Sequence, residues 1–308
     1  MTIVAVAQLA SVPHDATATA DRAVQAIGEA RARGAELILF PEAFLGGYPK
    51  GMSFGSPVGA RSPEGRAAYS RYTEAAVELS GPELARVAEA AREHGVFVVM
   101  GIIERHGRTL YCTAVMIGED GERRGIHRKL MPTGAERLIW GFGDGSTLPV
   151  VPSPAGSVGA VICWENYMPL LRTAMYGQGI QIYCAPTADD RDTWLPTMQH
   201  IALEGRCFVL SACQAIRRRD YPHDYDSVID FAPDDFVLRG GSVILSPRGE
   251  ILAGPLFEEE GLLLAEVDLD IITAQSLDFD AVGHYARPDI FSLAVDTRAK
   301  DPVSFTTD

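Results

Sequence analysis

Two hydrophobic rhythms run along this chain. Short, nearly continuous apolar runs recur at 2–9, 37–40, 96–103, 111–117, 159–162, 180–186, 207–215, 240–246 and 262–267. Runs of that length, set off by Gly, Pro and Asp, read as strands, and the most apolar as strands buried on both faces. Between them the spacing turns helical. Over 19–33, Ala20, Val24, Ile27 and Ala30 share a stripe, and Gly34 supplies the stop. Helices are also expected over 64–79, from Pro82 to a stop at Gly95, and over 170–175, 192–206 and 268–277. Pro82 suits a first helical position, and Leu84, Val87, Ala88 and Ala91 fall on one face behind it. Thr193 or Asp192 is the expected cap of the helix over 192–206. Glu119-Asp120-Gly121-Glu122 and Pro247-Arg248-Gly249-Glu250 read as turns. The stretch 217–239 is polar and reads as a long surface loop. The tail from Asp280 on is irregular and slightly apolar, as if it docks on the body or on a partner subunit. Strand–helix steps and hairpins both occur, with no internal repeat or linker. The pattern predicts two packed sheets flanked by helices, a layered α/β fold in one domain over 1–308.

Three polar residues break the pattern at strand ends. The run Gly159-Ala160-Val161-Ile162 leads straight into Cys163, with Trp164-Glu165-Asn166 next. Backbone N–H groups between a strand and a helix face outward, and a helix N-terminus favours negative charge. Such a place suits a thiolate and a developing anion. A cysteine taken at random is more often a core residue, so its neighbours must decide. Glu42 follows the buried run 37–40 and Pro41, and Ala43-Phe44-Leu45 keep it from free solvent. Lys129 sits in a cluster of basic residues, His127-Arg128-Lys129. A buried glutamate can act as a base, and a nearby lysine lowers a thiol pKa or steadies an oxyanion. Of seven histidines only His127 lies near these motifs, so a Cys–His pairing is open but unsupported. Gly141-Phe142-Gly143-Asp144-Gly145 lacks the phosphate-loop spacing and reads as tight loop geometry.

Composition narrows the classes. A net charge of −14 makes nucleic acid and anionic membranes poor partners. The apolar runs are too short to span a bilayer, and the start of the chain has no basic leader, which places the protein in the cytoplasm. The five cysteines are odd in number and their spacings fit no zinc pattern. Cys112, Cys184, Cys207 and Cys213 read as core residues.

Phe40-Pro41-Glu42-Ala43-Phe44, His127-Arg128-Lys129-Leu130-Met131-Pro132-Thr133 and Cys163-Trp164-Glu165-Asn166 resemble the three ordered motifs of the nitrilase branch of the carbon–nitrogen hydrolase superfamily. Flanking text agrees, including Glu136-Arg137, Ala185-Pro186-Thr187-Ala188-Asp189, Gly240-Gly241-Ser242 and His284-Tyr285-Ala286-Arg287-Pro288-Asp289. The likeness covers nearly the whole chain and is strongest to plant-type and related bacterial nitrilases. It implies a four-layer α-β-β-α sandwich, with no metal and no organic cofactor. It implies Cys163 as nucleophile, Glu42 as general base, Lys129 as the stabilising cation and Glu136 as a second glutamate oriented toward Lys129. The Trp164 N–H is implied to help hold developing charge. Tyr48, Thr133, Trp140, Trp164 and Tyr167 lie near the motifs and are candidate substrate contacts, which suggests an apolar or aryl-bearing nitrile. The implied reaction takes a nitrile to its acid and ammonia. An amidase or a cyanide-hydrolysing enzyme is the alternative from the same fold, and a non-catalytic interaction module is the alternative from another class. Trp164-Glu165-Asn166 after the cysteine favours the nitrilase. The resemblance also implies a homodimer or higher homo-oligomer, while the short C-terminus argues against a long filament.

Overall fold

A computed structural model of the chain describes residues 1–300 and residue 303. Strands β1 (Thr2–Gln8), β2 (Ala35–Leu39), β3 (Phe97–His106), β4 (Thr109–Ile117) and β5 (Arg123–Arg128) lie in one sheet. Strands β6 (Val150–Ser153), β7 (Gly156–Ala160), β8 (Ile182–Thr187), β9 (Phe208–Cys213), β10 (Ala215–Arg217), β11 (Phe236–Leu245) and β12 (Ile251–Phe257) form a second. The chain then returns as β13 (Gly261–Val267), which pairs antiparallel with β1. The first sheet runs β13-β1-β2-β3-β4-β5; the second runs β10-β11-β9-β8-β7-β6, with β12 beside β11. Within each sheet a central trio is parallel, β1-β2-β3 and β7-β8-β9.

The alternation of side chains explains the layers. Val4, Val6, Leu37, Leu39, Phe97 and Val99 point inward onto Val158, Ala160, Ile182, Cys184, Phe208 and Leu210. The intervening Ala5, Ala7, Ile38 and Val98 point outward, under α1 (Ala16–Ala32). Helix α2 (Pro63–Glu74) closes one end of the inner layer through Ala68 and Tyr72, and α3 (Pro82–His94) lies beside α1 on the outer face. On the other side Val161, Tyr183, Val209 and Val243 lie under α4 (Pro169–Gly177) and α5 (Trp194–Gly205). A last short helix, α6 (Asp270–Gln275), places Ile272 against the inner core. The result is the α-β-β-α sandwich. Strands covered on both faces gain from apolar residues on both, which is why their sequences read as unbroken runs.

Several expectations change. Helix α1 begins earlier than 19, because the Asp15 side chain caps it by accepting from Ala18 N. Helix α2 stops at Glu74 and does not reach 79, because Val77 bridges to β3 through Val77 N to Ile103 O and Arg105 N to Val77 O. Neither Thr193 nor Asp192 caps α5 through its side chain. Thr193 holds the cap position without such a bond, and Asp192 pairs with Arg239. The segment 217–239 is not all loop, since Ala215 and Ile216 pair with Arg239 and Leu238. It also carries Tyr221 and Tyr225, both buried, with rings 4.4 Å apart. Strands β6 and β12 were not legible: β6 is four residues with a proline, and β12 is broken by Gly254-Pro255. In the tail, Tyr285, Ile290 and Phe291 stay exposed, while Lys300 N donates to Asp144 Oδ2 at 2.7 Å.

Candidate active site

Each of the three strand-end residues is held by a different local device. Glu42 sits one residue beyond Pro41 in a turn laid directly on β3. A Cβ at Gly101 would stand 2.0 Å from Pro41 O, so only glycine there admits the turn. Lys129 follows β5, with its N–H on Cys112 O at 2.8 Å and its carbonyl accepting from Gly143 N at 2.9 Å. Gly143 is again required by close approach, since a Cβ would lie 2.1 Å from Arg128 O. Cys163 opens a 3₁₀ turn over Cys163–Tyr167 with φ +51°, a left-handed conformation that costs a cysteine about 1–2 kcal/mol. Its surroundings impose it. Asn166 Nδ2 donates to Cys163 O at 2.7 Å and to Val161 O at 2.9 Å, and Glu165 Oε2 accepts from Ile162 N at 3.0 Å.

The Lys129 ammonium bridges two carboxylates. Its Nζ donates to Glu42 Oε1 at 2.7 Å and to Glu136 Oε2 at 2.8 Å, with all three residues buried. Glu136 is oriented in turn by Tyr48 OH on Oε1 at 2.7 Å and Thr133 N on Oε2 at 2.6 Å. The Trp140 ring lies 5.5 Å from Nζ, and its indole N–H donates to Tyr72 OH. Thr187 Oγ1 donates to Cys163 Sγ at 3.3 Å, and Cys112 Sγ stands 3.5 Å from Glu42 Oε1.

Burial and neighbouring charge together set the direction in which each group's pKa moves. Burial pushes the Glu42 carboxyl up, opposed by Lys129 and reinforced by Glu136. Burial also pushes the Cys163 thiol well up, and the Glu42 carboxylate adds to this more than Lys129 subtracts. Lys129 stays charged: burial alone would lower its pKa, but Glu42, Cys163 and Glu136 raise it further. Burial and the Glu42 carboxylate thus favour the protonated thiol at Cys163, and the neighbouring acidic groups favour the charged amine at Lys129.

An open cavity of about 280 Å³ reaches the thiol. Of the residues expected to touch substrate, Tyr48, Thr133 and Trp164 line it, and Trp140 and Tyr167 do not. Trp140 is buried beneath Lys129 and edge-on to Tyr48, and Tyr167 packs edge-on behind Trp164 and against Trp194. Sequence reasoning gave no role to Thr187, Asp189, Lys50 or Arg191, although Thr187 and Asp189 stand in the flanking text quoted above, and Cys112 lies in the core as read. Asp189 accepts from Trp164 Nε1 at 2.8 Å and pairs with Arg191, whose guanidinium lies over the Trp164 ring. The readable signal was Thr187, a polar residue at the end of a buried strand in the manner of Glu42. Among the described residues no cluster of three or more His, Cys, Asp and Glu side chains has metal-holding geometry.

His127 serves the scaffold. Its Nδ1 faces the Thr147 carbonyl at 2.7 Å, which can only accept, and its Nε2 faces Glu165 Oε2 at 2.9 Å. Glu165 also accepts from Leu130 N at 2.5 Å, so one carboxylate ties the residue after Lys129 to the turn that presents Cys163. Burial opposes protonation of His127, but Glu165 and the Thr147 carbonyl together outweigh it and the pKa is raised above 6.5. The pair then contributes stability that is complete below pH 6.5 and fades as pH rises through the raised value. His127→Gln is expected to lower Tm most at about pH 6, with the deficit shrinking toward about pH 9. Thermal melts across that range check this, and a deficit independent of pH would remove the charged pair.

Known proteins resemble this chain along nearly its whole length. The carbon–nitrogen hydrolase family profile matches residues 3–276. A nitrilase of Bradyrhizobium diazoefficiens is 59% identical over 97% of this chain and 94% of its own. A bifunctional nitrilase/nitrile hydratase of Nicotiana tabacum is 53% identical over 98% of this chain and 88% of its own. Among solved structures, an amidase from Nesterenkonia sp. AN1 with a covalent adduct on its active-site cysteine superposes with a TM-score of 0.69. It is 21% identical and covers 94% of this chain and 95% of its own, a likeness of fold. With a buried Glu–Lys–Glu bridge beside a strained cysteine, and relatives of this identity over almost the full length, the chain belongs to the carbon–nitrogen hydrolase family, in its nitrilase branch.

Proposed function

We propose that the protein is a nitrilase that converts an organic nitrile to the carboxylic acid and ammonia through covalent intermediates on Cys163. The observation that carries this reading is the Lys129 ammonium held between Glu42 and Glu136, with the Glu42 carboxylate acting on the Cys163 thiol. Glu42 takes the thiol proton as Sγ attacks the nitrile carbon, and its burial-raised pKa suits that exchange. A proton passes to the nitrile nitrogen, giving a thioimidate. Water adds, the C–N bond breaks, and ammonia leaves a thioester. A second water, deprotonated by Glu42, releases the acid and restores the thiol. Lys129 remains a cation throughout and balances the anion that forms beside Glu42. Glu136 fixes the direction of the Lys129 amine, and the Trp164 N–H faces the developing charge. Tyr48, Thr133 and Trp164 are the direct substrate contacts, while Trp140 acts through Lys129 and Tyr167 through Trp164.

If the C–S bond of the first tetrahedral adduct breaks in place of C–N, the product is the amide. The tobacco relative, a bifunctional nitrilase/nitrile hydratase, favours keeping that outcome in view. The same reading treats residues 1–308 as one domain, in the cytoplasm, assembled as a homodimer or larger. Among the described residues no helix is long and apolar enough to cross a membrane, which fits that reading. The deciding experiment measures ammonia release from aliphatic, aryl, arylacetic and dinitrile substrates beside the matching amides and cyanide. Turnover of nitriles to acid and ammonia is expected. Activity on amides alone would hand the site to an amidase, and on cyanide alone to a cyanide hydrolase.

A further inference from the structure

The thiol cavity does not end at Thr133 and Glu136. A second cavity, of about 390 Å³, opens from the same four residues, Tyr48, Lys50, Thr133 and Glu136. Its remaining wall is largely apolar. Met52 and Phe54 come from the loop after Tyr48, Leu138 and Ile139 from the turn that carries Glu136, and Val228 from the segment between β10 and β11. That segment is tied to the first loop by Val228 N on Gly51 O and Tyr225 OH on Lys50 O, both at 2.8 Å. The sill between the two cavities is the bonded pair Tyr48 and Glu136. A dry cavity of about 150 Å³ accepts a benzene, so the annex has room for more than one ring-sized group.

We propose that this annex is the specificity pocket of the enzyme and takes a flexible, apolar substituent of the nitrile. The proposal rests on the nitrilase reading above. The cyano carbon meets Cys163 in the first cavity, the chain crosses the Tyr48–Glu136 sill, and its far end lies between Met52, Leu138, Ile139 and Val228. Fully burying a further methylene is worth about 0.8 kcal/mol, at most roughly a fourfold gain in kcat/KM, and the exposed Leu138 and Val228 leave the far end partly in solvent. A group too short to cross the sill gains nothing from the annex. A rigid ring joined directly to the reacting carbon is held at the sill.

The test compares kcat/KM for octanenitrile and butyronitrile in the wild type and in Val228→Trp and Val228→Asp. Val228 is 72% exposed, so neither change disturbs the core. The first fills the annex and the second places a charge in it. The wild type is expected to favour octanenitrile at least about tenfold, and both variants are expected to cut that ratio about tenfold. Calorimetry with octanal and butanal provides an arm free of nitrile turnover. The Cys163 sulfur adds to the aldehyde carbon and the thiol proton passes to its oxygen, so binding reports chain length directly. Preference for octanal without ammonia release from any nitrile would fell the nitrilase reading and leave the annex standing. Hydrolysis or aldehyde binding indifferent to chain length, or a wild-type ratio unmoved by both variants, would overturn the annex.

Discussion

Cys163→Ala is expected to abolish ammonia release from nitriles, by roughly 10⁴-fold or more, while the protein stays folded. The chemistry has no substitute nucleophile in reach of the same geometry. Cys112, the other thiol near Glu42, is fully buried, is not in the cavity wall, and has its pKa raised by burial and by Glu42. Stability should change little. Removing one buried sulfur costs about 1 kcal/mol of packing. The left-handed backbone at 163 is imposed by Asn166 and Glu165, and alanine tolerates it no worse than cysteine. The check is ammonia assay, thermal melt and intact mass after incubation with substrate. Wild type should show a transient acyl adduct and the variant none. Substantial turnover by folded Cys163→Ala would remove the covalent route altogether. The burial-raised Glu42 adds a pH signature: the acid limb of kcat/KM should lie above the usual carboxylate range, because Glu42 must be ionised to take the thiol proton.

How far the sequence foretold this site depends on the kind of physics each residue uses. Glu42 and Cys163 stood out because each closely follows a buried apolar run, Lys129 because basic residues cluster there in an acidic chain, and all three because their motifs occur in a known order. The sandwich was legible because strands covered on both faces cannot alternate, and theirs did not. The thiol's protonation was not. It depends on the balance of burial, one carboxylate and one ammonium at a few ångströms, and residue types alone favoured the ammonium. Trp140 and Tyr167 show a second limit. Proximity in sequence to a motif placed both near the site, yet one packs under Lys129 and the other behind Trp164. Which side of a wall a ring occupies is settled by contacts from α2 and α5, distant in sequence. Edge strands β6 and β12 were lost for a related reason. They pair on one side only, so proline and glycine are tolerated and the apolar run is broken.

The second large effect concerns Lys129, where catalysis and folding share one charge. Lys129→Met is expected to lower kcat about 10²–10⁴-fold and to destabilise the fold by about 3–5 kcal/mol. The side chain is wholly buried, and Met fills much of its volume, so lost packing is not the cause. What is lost is the single cation between Glu42 and Glu136, both buried and both bonded to it. Two carboxylates facing each other without it cannot both stay ionised, and one will take up a proton. The consequence has a sign. In the variant the pair is relieved by protonation, so its stability deficit should shrink as pH falls, opposite to the behaviour expected of His127→Gln. The same protonation removes the base that Cys163 needs, so activity stays low across the range. Melts at several pH values, paired with kcat, separate the two roles: a normal kcat in folded Lys129→Met would dissolve the catalytic bridge, and a deficit that deepens toward acid would show that the two glutamates do not repel. Glu136→Gln supplies the contrast. It keeps the Lys129–Glu42 bond and an acceptor for the Lys129 amine and Thr133 N, so it should cost far less stability than Lys129→Met while loosening the hold on the amine.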